Sequence, residues 1–410
     1  MSEETIDPAS SGLPEGMALT PLDERFREDP YPILKTLRER APVHEDTQLR
    51  RYICTRHDDV KQILRDAAFW SDPRKANEGT FTRNFLLNDP DAEPSMLLMD
   101  EPDHRRLRSL VSASFTPAAV ERWRERVRDV VERVLGEIQD DEFDLISRFA
   151  GPVPTVVIAE MLGIDPSMHG DFKRWSDQSV TVSFNPFASD EERAVGEAAR
   201  ASLDAFFRAE IARRRQEPGE DLISDMIRAE EDGDRLSIDE MVQQCNLLLV
   251  AGNVTTTDLI GNGTRALLEH PDQLDKLRAD PSLIRNAVEE MLRFDSPVVN
   301  SGRIPNRDVV FAGCPIRRGE SLNVSLSGAN RDPAVYPDPD RFDIEREDTH
   351  HQSFGGGRHL CLGAHLARLE AQEAILALIS RFPNLRPSEK GHTFHAIPSF
   401  RGMTSLWVRT

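Results

Sequence analysis

Phe354-Gly355-Gly356-Gly357-Arg358-His359-Leu360-Cys361-Leu362-Gly363 places one cysteine in a glycine-rich loop, directly ahead of the helical pattern Ala364-His365-Leu366-Ala367-Arg368-Leu369-Glu370. A thiolate is strongly basic and needs help to stay deprotonated. The N-terminus of a helix supplies backbone N–H groups and a partial positive charge that stabilise such an anion. Gly355 and Gly357 are expected to take φ angles closed to other residues and to let the backbone close on something flat and large. An inert, buried cysteine behind a glycine turn is the competing reading for a lone Cys. The order of the whole stretch argues for a stabilised thiolate instead.

The chain has 410 residues, 39% of them hydrophobic, a share sufficient for a large core. That is long for one domain, yet no repeat or low-complexity linker divides it, and helical periodicity runs through most of it. The expectation is one mainly α domain with a small β region, residues 21–410, behind a flexible acidic tail of residues 1–20. The net charge of −20 disfavours nucleic acid and anionic membrane surfaces as partners. Cys54, Cys245, Cys314 and Cys361 are scattered without a C-x-x-C pair. That argues against a disulfide framework or zinc site and for a reducing cytoplasm. The N-terminus has no basic or apolar signal region, and no run of about 18 apolar residues occurs.

Pro30–Arg40 and His57–Arg65 read as helices, with strands at Pro42–Glu45 and Arg51–Thr55 between them. Ser71–Pro94 reads as a long irregular loop whose Phe81, Phe85, Leu86 and Leu87 either line a pocket or pin the loop to the core. Helices follow from Glu101 to Ile164, broken near Pro117 and Pro152, and again over 168–180 and 190–216. Ser237-Ile238-Asp239-Glu240 is a capping box opening a long apolar helix that ends near Pro271, roughly 50 Å at 1.5 Å per residue. Short strands and turns follow Pro297.

That long helix contains Ala251-Gly252-Asn253-Val254-Thr255-Thr256-Thr257-Asp258. Gly in a helix interior costs about 1 kcal/mol relative to Ala, and β-branched threonines are poor helix formers. Together they indicate a packing notch or a kinked polar groove, since a Thr hydroxyl can bond back to the i−4 carbonyl. Glu290-Met291-Leu292-Arg293 sets opposite charges on one helix face, a commonplace pair worth about 0.5 kcal/mol when exposed. His104 and Arg108 likewise share a helix face.

In this company, the 354–363 loop resembles the haem-binding signature of the cytochrome P450 superfamily, F-G-x-G-x-(H/R)-x-C-x-G, at every fixed position. The resemblance implies a triangular, single-domain haem-thiolate monooxygenase fold with a long central helix over haem b. Cys361 would be the axial thiolate and metal ligand, with Phe354, Gly355, His359 and Gly363 around the cofactor. The long helix resembles the oxygen-activation segment (A/G)-G-x-(D/E)-T-(T/S). Ala251 and Gly252 would lie against the haem, and Thr255 would hold dioxygen or its water. The acid position is Val254, which cannot carry a proton. Asp258, one turn later, and Asn253, beside it, are then the candidates to order a water relay. His104, Arg108, Arg303 and His359 match the family's partners of the haem propionates. Glu290, Arg293 and the Arg341 of Pro339-Asp340-Arg341-Phe342 match a buried structural network behind the thiolate loop.

The acidic N-terminus points to the soluble, bacterial type rather than the anchored eukaryotic one. The resemblance further implies a monomer that uses O2 and receives electrons from NAD(P)H through ferredoxin reductase and ferredoxin. Arg105, Arg106 and Arg358 would form a basic proximal patch for an acidic ferredoxin, or else ordinary mixed surface charge. By position, Phe85, Phe187, Leu247, Ala251, Val298, Val299 and Phe400 are candidates for the substrate pocket, with Asn300 and Ser301 as polar contacts. That favours a mid-sized lipophilic molecule such as a terpenoid, steroid or fatty acyl compound. Val254 leaves open peroxide-driven chemistry, or a rearrangement or dehydration on the same haem. A haem-based ligand sensor without turnover is the reading from a different class.

Overall fold

The longest element begins where the capping box places it. Glu240 N–H donates to Ser237 Oγ at 3.1 Å and Ser237 N–H donates to Glu240 Oε2 at 2.8 Å, which starts the helix Ile238–Glu269. The structure, a computed structural model, describes residues 12–87, 95–231 and 236–410. This central helix is buried on nearly every side, with Cys245, Leu249 and Ile260 fully inaccessible. Pro152–Met161, His169–Phe184, Asp190–Gln216, Ile284–Phe294 and Ala364–Arg381 pack around it, and their apolar faces merge into one core. Arg124–Gly136 closes the far side of that layer. Gly261 and Gly263 permit the close crossings: a Cβ there would stand 2.7 Å from Ile146 Cδ1 and 2.6 Å from Met291 Sδ.

Among the described residues ten short strands flank the helices: β1 (Val43–Asp46), β2 (Arg51–Cys54), β3 (Phe69–Trp70), β4 (Glu142–Asp144), β5 (Asn300–Pro305), β6 (Val309–Phe311), β7 (Cys314–Ile316), β8 (Leu322–Ser325), β9 (Arg386–Phe394) and β10 (Met403–Arg409). The largest sheet has the order β1-β2-β8-β5-β3, with β2 and β8 parallel and its other pairs antiparallel. It carries Asn300–Arg303 across to the N-terminal strands and pairs Arg303 with Leu322. The second sheet is β4-β10-β9, and β6-β7 is a hairpin.

The mainly α domain with a small β region is as the sequence predicts. Local details differ. Within 71–94, Pro73–Lys75 forms a 3-10 turn and Phe81–Phe85 a short helix, and residues 88–94 lie outside the described residues. Thr82 N–H donates to Ser321 Oγ at 2.7 Å, which ties that short helix to the sheet. β4 interrupts the 101–164 helical run because its backbone pairs with β10. The 169–184 helix runs past the stop expected at 180. Within the tail expected over 1–20, Gly16–Leu19 is structured: it forms a turn, Leu19 is buried, and Gly16 N–H donates to Asp46 Oδ1 at 2.8 Å. Residues 1–11 lie outside the described ones. Among the described residues no helix is long and apolar enough to cross a membrane.

Candidate active site

Cys361 sits where the glycine loop hands over to the helix Ala364–Arg381. Gly363 is the N-cap of that helix, and its N–H bonds toward the Cys361 sulfur. Cys361 N–H donates to Phe354 O at 2.9 Å and Gly355 N–H to Gln352 O at 2.8 Å, folding the loop back on itself. Gly355 and Gly357 take φ of 69° and 65°. Gly357 nevertheless serves protein packing, because a Cβ there would stand 2.4 Å from Leu64 O of the His57–Arg65 helix. Arg368 lies over the Phe354 ring at 4.4 Å and donates to Glu289 at 2.5 and 2.8 Å. The cysteine sulfur is exposed to a ligand yet ringed by protein. Burial pushes its thiol up, while the Gly363 N–H, Arg108 and Arg368 favour the thiolate. Cys54 and Cys245 are fully buried, and burial pushes both thiols up.

Beside the loop stand Arg108, Arg303 and Arg358 with two imidazoles, His104 and His359; Glu101 lies 3.9 Å from His104 Nδ1. The His104 and His359 rings lie 4.2 Å apart, and His104 Nδ1 and His359 Nε2 are buried with no hydrogen-bond partner. Burial, reinforced by Arg303, His104, Arg358 and Arg108, drives His359 down to about 2. Burial also lowers Arg303 to about 10, with Arg358 adding to the fall and Asp100 opposing it. Arg303 spends its Nη1 on Ser301 Oγ and Gly302 O, and Arg108 Nη2 donates to Leu360 O at 2.6 Å. Mutually repelling cations with orphaned imidazole nitrogens are a site for a ligand with paired carboxylates. The residues present therefore fit the two propionates of the expected haem, and His104, Arg108, Arg303 and His359 are brought together as the sequence predicts.

On the central helix, Ala251 is exposed and Thr255 half-buried, and Thr255 Oγ1 donates to Ala251 O at 2.7 Å. This is the polar groove. Gly252 lies one residue on from Ala251, and a Cβ there would meet Ile158 in ordinary contact at 3.6 Å. Asn253 departs from its expected place. It is 1% exposed, accepts from Thr155 Oγ1 at 2.8 Å and donates to Ser176 Oγ at 3.1 Å, so its amide is occupied between helices rather than in the groove. Asp258 is 2% exposed, lies 3.3 Å from His395 Nε2, and fills the space left by Gly402, where a Cβ would stand 1.7 Å from Asp258 Oδ1. Both residues expected to stand in for Val254 thus face protein partners.

The pocket candidates divide. Phe85 stacks on Phe187 and on Phe81, each at 5.2 Å, and Phe400 meets Phe184 at 4.7 Å. Phe184 was not expected, because the helix was taken to end before it. Val299 and Asn300 line a cavity with Phe26, Pro30 and Leu34 of the N-terminal segment, and Phe400 joins Val299, Phe26 and Pro30 around an adjoining one. Strand pairing decides this, as Val299 N–H is committed to Ser399 O. Val298 bridges to Phe400, and Leu247 is half-buried against the main core.

Behind the thiolate loop, Glu290 and Arg293 are both wholly buried and bonded twice, at 2.7 and 2.8 Å. The third member is Arg346, 3.2 Å from Glu290 and 10% exposed, and not Arg341. The Arg341 side chain is 61% exposed and pairs with Asp343, and only its carbonyl joins, accepting from Arg293 and Arg346. Of the arginines expected in a proximal patch, Arg105 is exposed and pairs with Glu101 at 3.0 Å, Arg106 is half-buried and bonds Glu240 of the central helix, and Arg358 stands near His359.

A family model described as Cytochrome P450 matches residues 51–395. Cytochrome P450 107B1 of Saccharopolyspora erythraea is 40% identical over 402 residues, covering 94% of this chain and 93% of the relative. The 6-deoxyerythronolide B hydroxylase of the same organism is 40% identical over 380 residues, covering 88% and 91%. Among solved structures, P450BioI in complex with a hexadec-9Z-enoic acid-ligated acyl carrier protein aligns with a TM-score of 0.86 at 34% identity, covering 95% of this chain and 100% of that one.

Proposed function

The chain belongs to the cytochrome P450 family of haem-thiolate monooxygenases, and from that premise we propose that it inserts one oxygen atom of O2 into a C–H bond of a mid-sized lipophilic substrate, with Cys361 as the iron's thiolate ligand. When bound, the haem would supply the redox-active iron at which O2 is reduced and split. Burial raises the Cys361 thiol, Gly363 N–H, Arg108 and Arg368 oppose that rise, and a bound iron would hold the sulfur as thiolate. His104, Arg108, Arg303 and His359 hold the propionates. The Thr255 hydroxyl donates to Ala251 O, so its oxygen lone pairs are turned to accept from a groove water. The phenylalanine rings around Phe85, Phe187, Phe184 and Phe400 exclude water and take the substrate's apolar body. Electrons come from NAD(P)H through ferredoxin reductase and ferredoxin. The cysteines, none of them in a disulfide, favour a reducing cytoplasmic setting.

The relative named for 6-deoxyerythronolide B and the neighbour carrying a hexadecenoyl chain make a macrolactone or a fatty acyl chain the substrate classes to try first. The observation that carries the reading is the orphaned pair of imidazole nitrogens beside a cysteine two residues ahead of a helix N-cap, Gly363. The test is turnover under isotopically labelled O2 with NADH, ferredoxin reductase and ferredoxin. Label in a hydroxylated product supports the proposal. Product formed only from hydrogen peroxide would support the second reading, peroxide-driven oxygenation, which Val254 favours. No product from either oxidant across a lipophilic library would overturn both.

A further inference from the structure

Phe400 stands in a turn that the central helix grips at both ends. At the far end Arg401 O accepts from Asn262 Nδ2 at 2.8 Å, Arg401 N–H donates to Pro297 O at 2.8 Å, and the Arg401 guanidinium donates to Asp295 at 2.6 Å. At the near end both ring nitrogens of His395 are engaged. Ile397 N–H donates to Nδ1 at 3.4 Å, which leaves the ring proton on Nε2, and Nε2 stands 3.3 Å from Asp258 Oδ2. Arg265 and Arg401 both pair with Asp295, so His395 is the basic side chain left to the buried Asp258 among the described residues. Ile397 O accepts in turn from Phe400 N–H at 3.1 Å, and the Phe400 ring meets Phe184 at 4.7 Å. A continuous series of contacts thus runs from Asp258 to the aromatic wall. Asp258 and Asn262 lie one helical turn apart, and Asp258 is three residues past Thr255, a neighbour on the helix surface.

We propose that the bond between Asp258 and His395 is a positioning device for substrate specificity: it sets the Phe400 ring at a fixed reach from the Thr255 groove and so decides how an apolar chain lies across that groove. The proposal rests on the reading above, in which Cys361 holds the haem and Phe184 and Phe400 wall the substrate. Asp258 and His395 are positioning residues, because they act through Ile397 and Phe400 without touching substrate. Cutting the near grip leaves the turn to pivot on the Asn262 grip, and the pivot moves Phe400. A pair kept only for packing would, when cut, cost stability and treat short and long ligands alike.

The experiment measures the binding of N-methylimidazole and N-dodecylimidazole to the purified holoenzyme, read from the visible shift when the azole nitrogen meets the iron. The methyl compound samples the iron alone, and the dodecyl tail samples the aromatic wall as well. His395→Leu is expected to weaken the dodecyl compound by about 10-fold, the lower end for a one-methylene mismatch in an apolar pocket, and to leave the methyl compound unchanged. In a Phe400→Ala background the same replacement should change dodecyl binding by less than about 2-fold, because the coupling runs through that ring. His395→Gln keeps a donor near the Nε2 position and should recover most of the lost affinity. Equal loss for both compounds, no loss for either, or the same loss with and without Phe400 overturns the proposal. If His395→Leu does not fold, Gly402→Ala displaces the Asp258 carboxylate from the other side, since a Cβ there would stand 1.7 Å from Oδ1. That variant should show the same tail-dependent loss, and its absence overturns the proposal. A wild type that binds neither azole sinks the haem-thiolate reading together with this inference, whereas wild-type binding of both with no tail-dependent loss in the variants sinks this inference alone.

Discussion

The two sides of the central helix are held by different forces. Behind Cys361, buried polar groups lock one another. Glu290 and Arg293 are both inaccessible, Asn330 Nδ2 donates to Ser296 and Ser353 at 2.7 and 2.8 Å, and Gln352 N–H donates to Asn330 Oδ1 at 2.7 Å. On the Thr255 side, phenylalanine rings meet at 4.7 to 5.2 Å, and the Thr255 hydroxyl bonds within its own helix. Directional bonds fix the position of a sulfur, which the chemistry requires. Apolar contacts are non-directional and tolerate a change of shape. The same fold can therefore keep its chemistry while its substrate varies.

The largest effect that would break this contrast is expected at Arg293. Arg293→Leu leaves the buried Glu290 with only Arg346 of its two arginines and removes its doubly bonded partner, and the cost should be about 3–5 kcal/mol in urea unfolding. Phe187→Ala on the opposite side should stay below about 3 kcal/mol, the upper value for burying such a side chain, and should chiefly weaken substrate binding. Equal destabilisation by the two would erase the distinction.

A smaller effect is expected at Asp295, which accepts from Tyr31 at 2.7 Å and Arg401 at 2.6 Å and pairs with Arg265 at 2.8 Å. Burial alone would raise its carboxyl, but Arg401, Arg265 and the Tyr31 hydroxyl outweigh burial and bring it down to about 2. The folded value lies below the unfolded one, about 3.9. Its contribution, on the order of 2 kcal/mol, is thus fully present above pH ~4 and lost as pH falls toward ~2. Asp295→Asn should lower stability at neutral pH and flatten that acid limb in a pH series of melts. An unchanged slope would show that other carboxylates, Glu289 first, dominate it.

The smallest effect is expected at Arg341. Its exposed side chain should be worth less than about 0.5 kcal/mol on truncation to Ala. Arg346→Ala, which removes a cation from the buried Glu290, should cost several times more. The reverse order in paired unfolding curves would restore Arg341 to the network.

What could be read from the sequence was what fits within one turn or loop. The 354–363 stretch, the Ser237–Glu240 box and the Glu290–Arg293 pair each carry their geometry in local spacing. Arg346 was missed because the partner of Glu290 is chosen by how the 337–346 segment folds back, which no local spacing states. Asn253 faces away from the groove for the same reason, since the helices holding Ser176 and Thr155 decide which way it points. Val299 went to the N-terminal segment because β5 joins a sheet built from distant strands.

The central claim is that Cys361 holds the haem iron as a thiolate. Its most direct test is the absorption spectrum of the reduced carbon monoxide complex, recorded side by side for wild type and Cys361→Ser. The wild type should show the red-shifted Soret band of thiolate ligation, and Cys361→Ser should lack it. The same red-shifted band in Cys361→Ser would contradict the account.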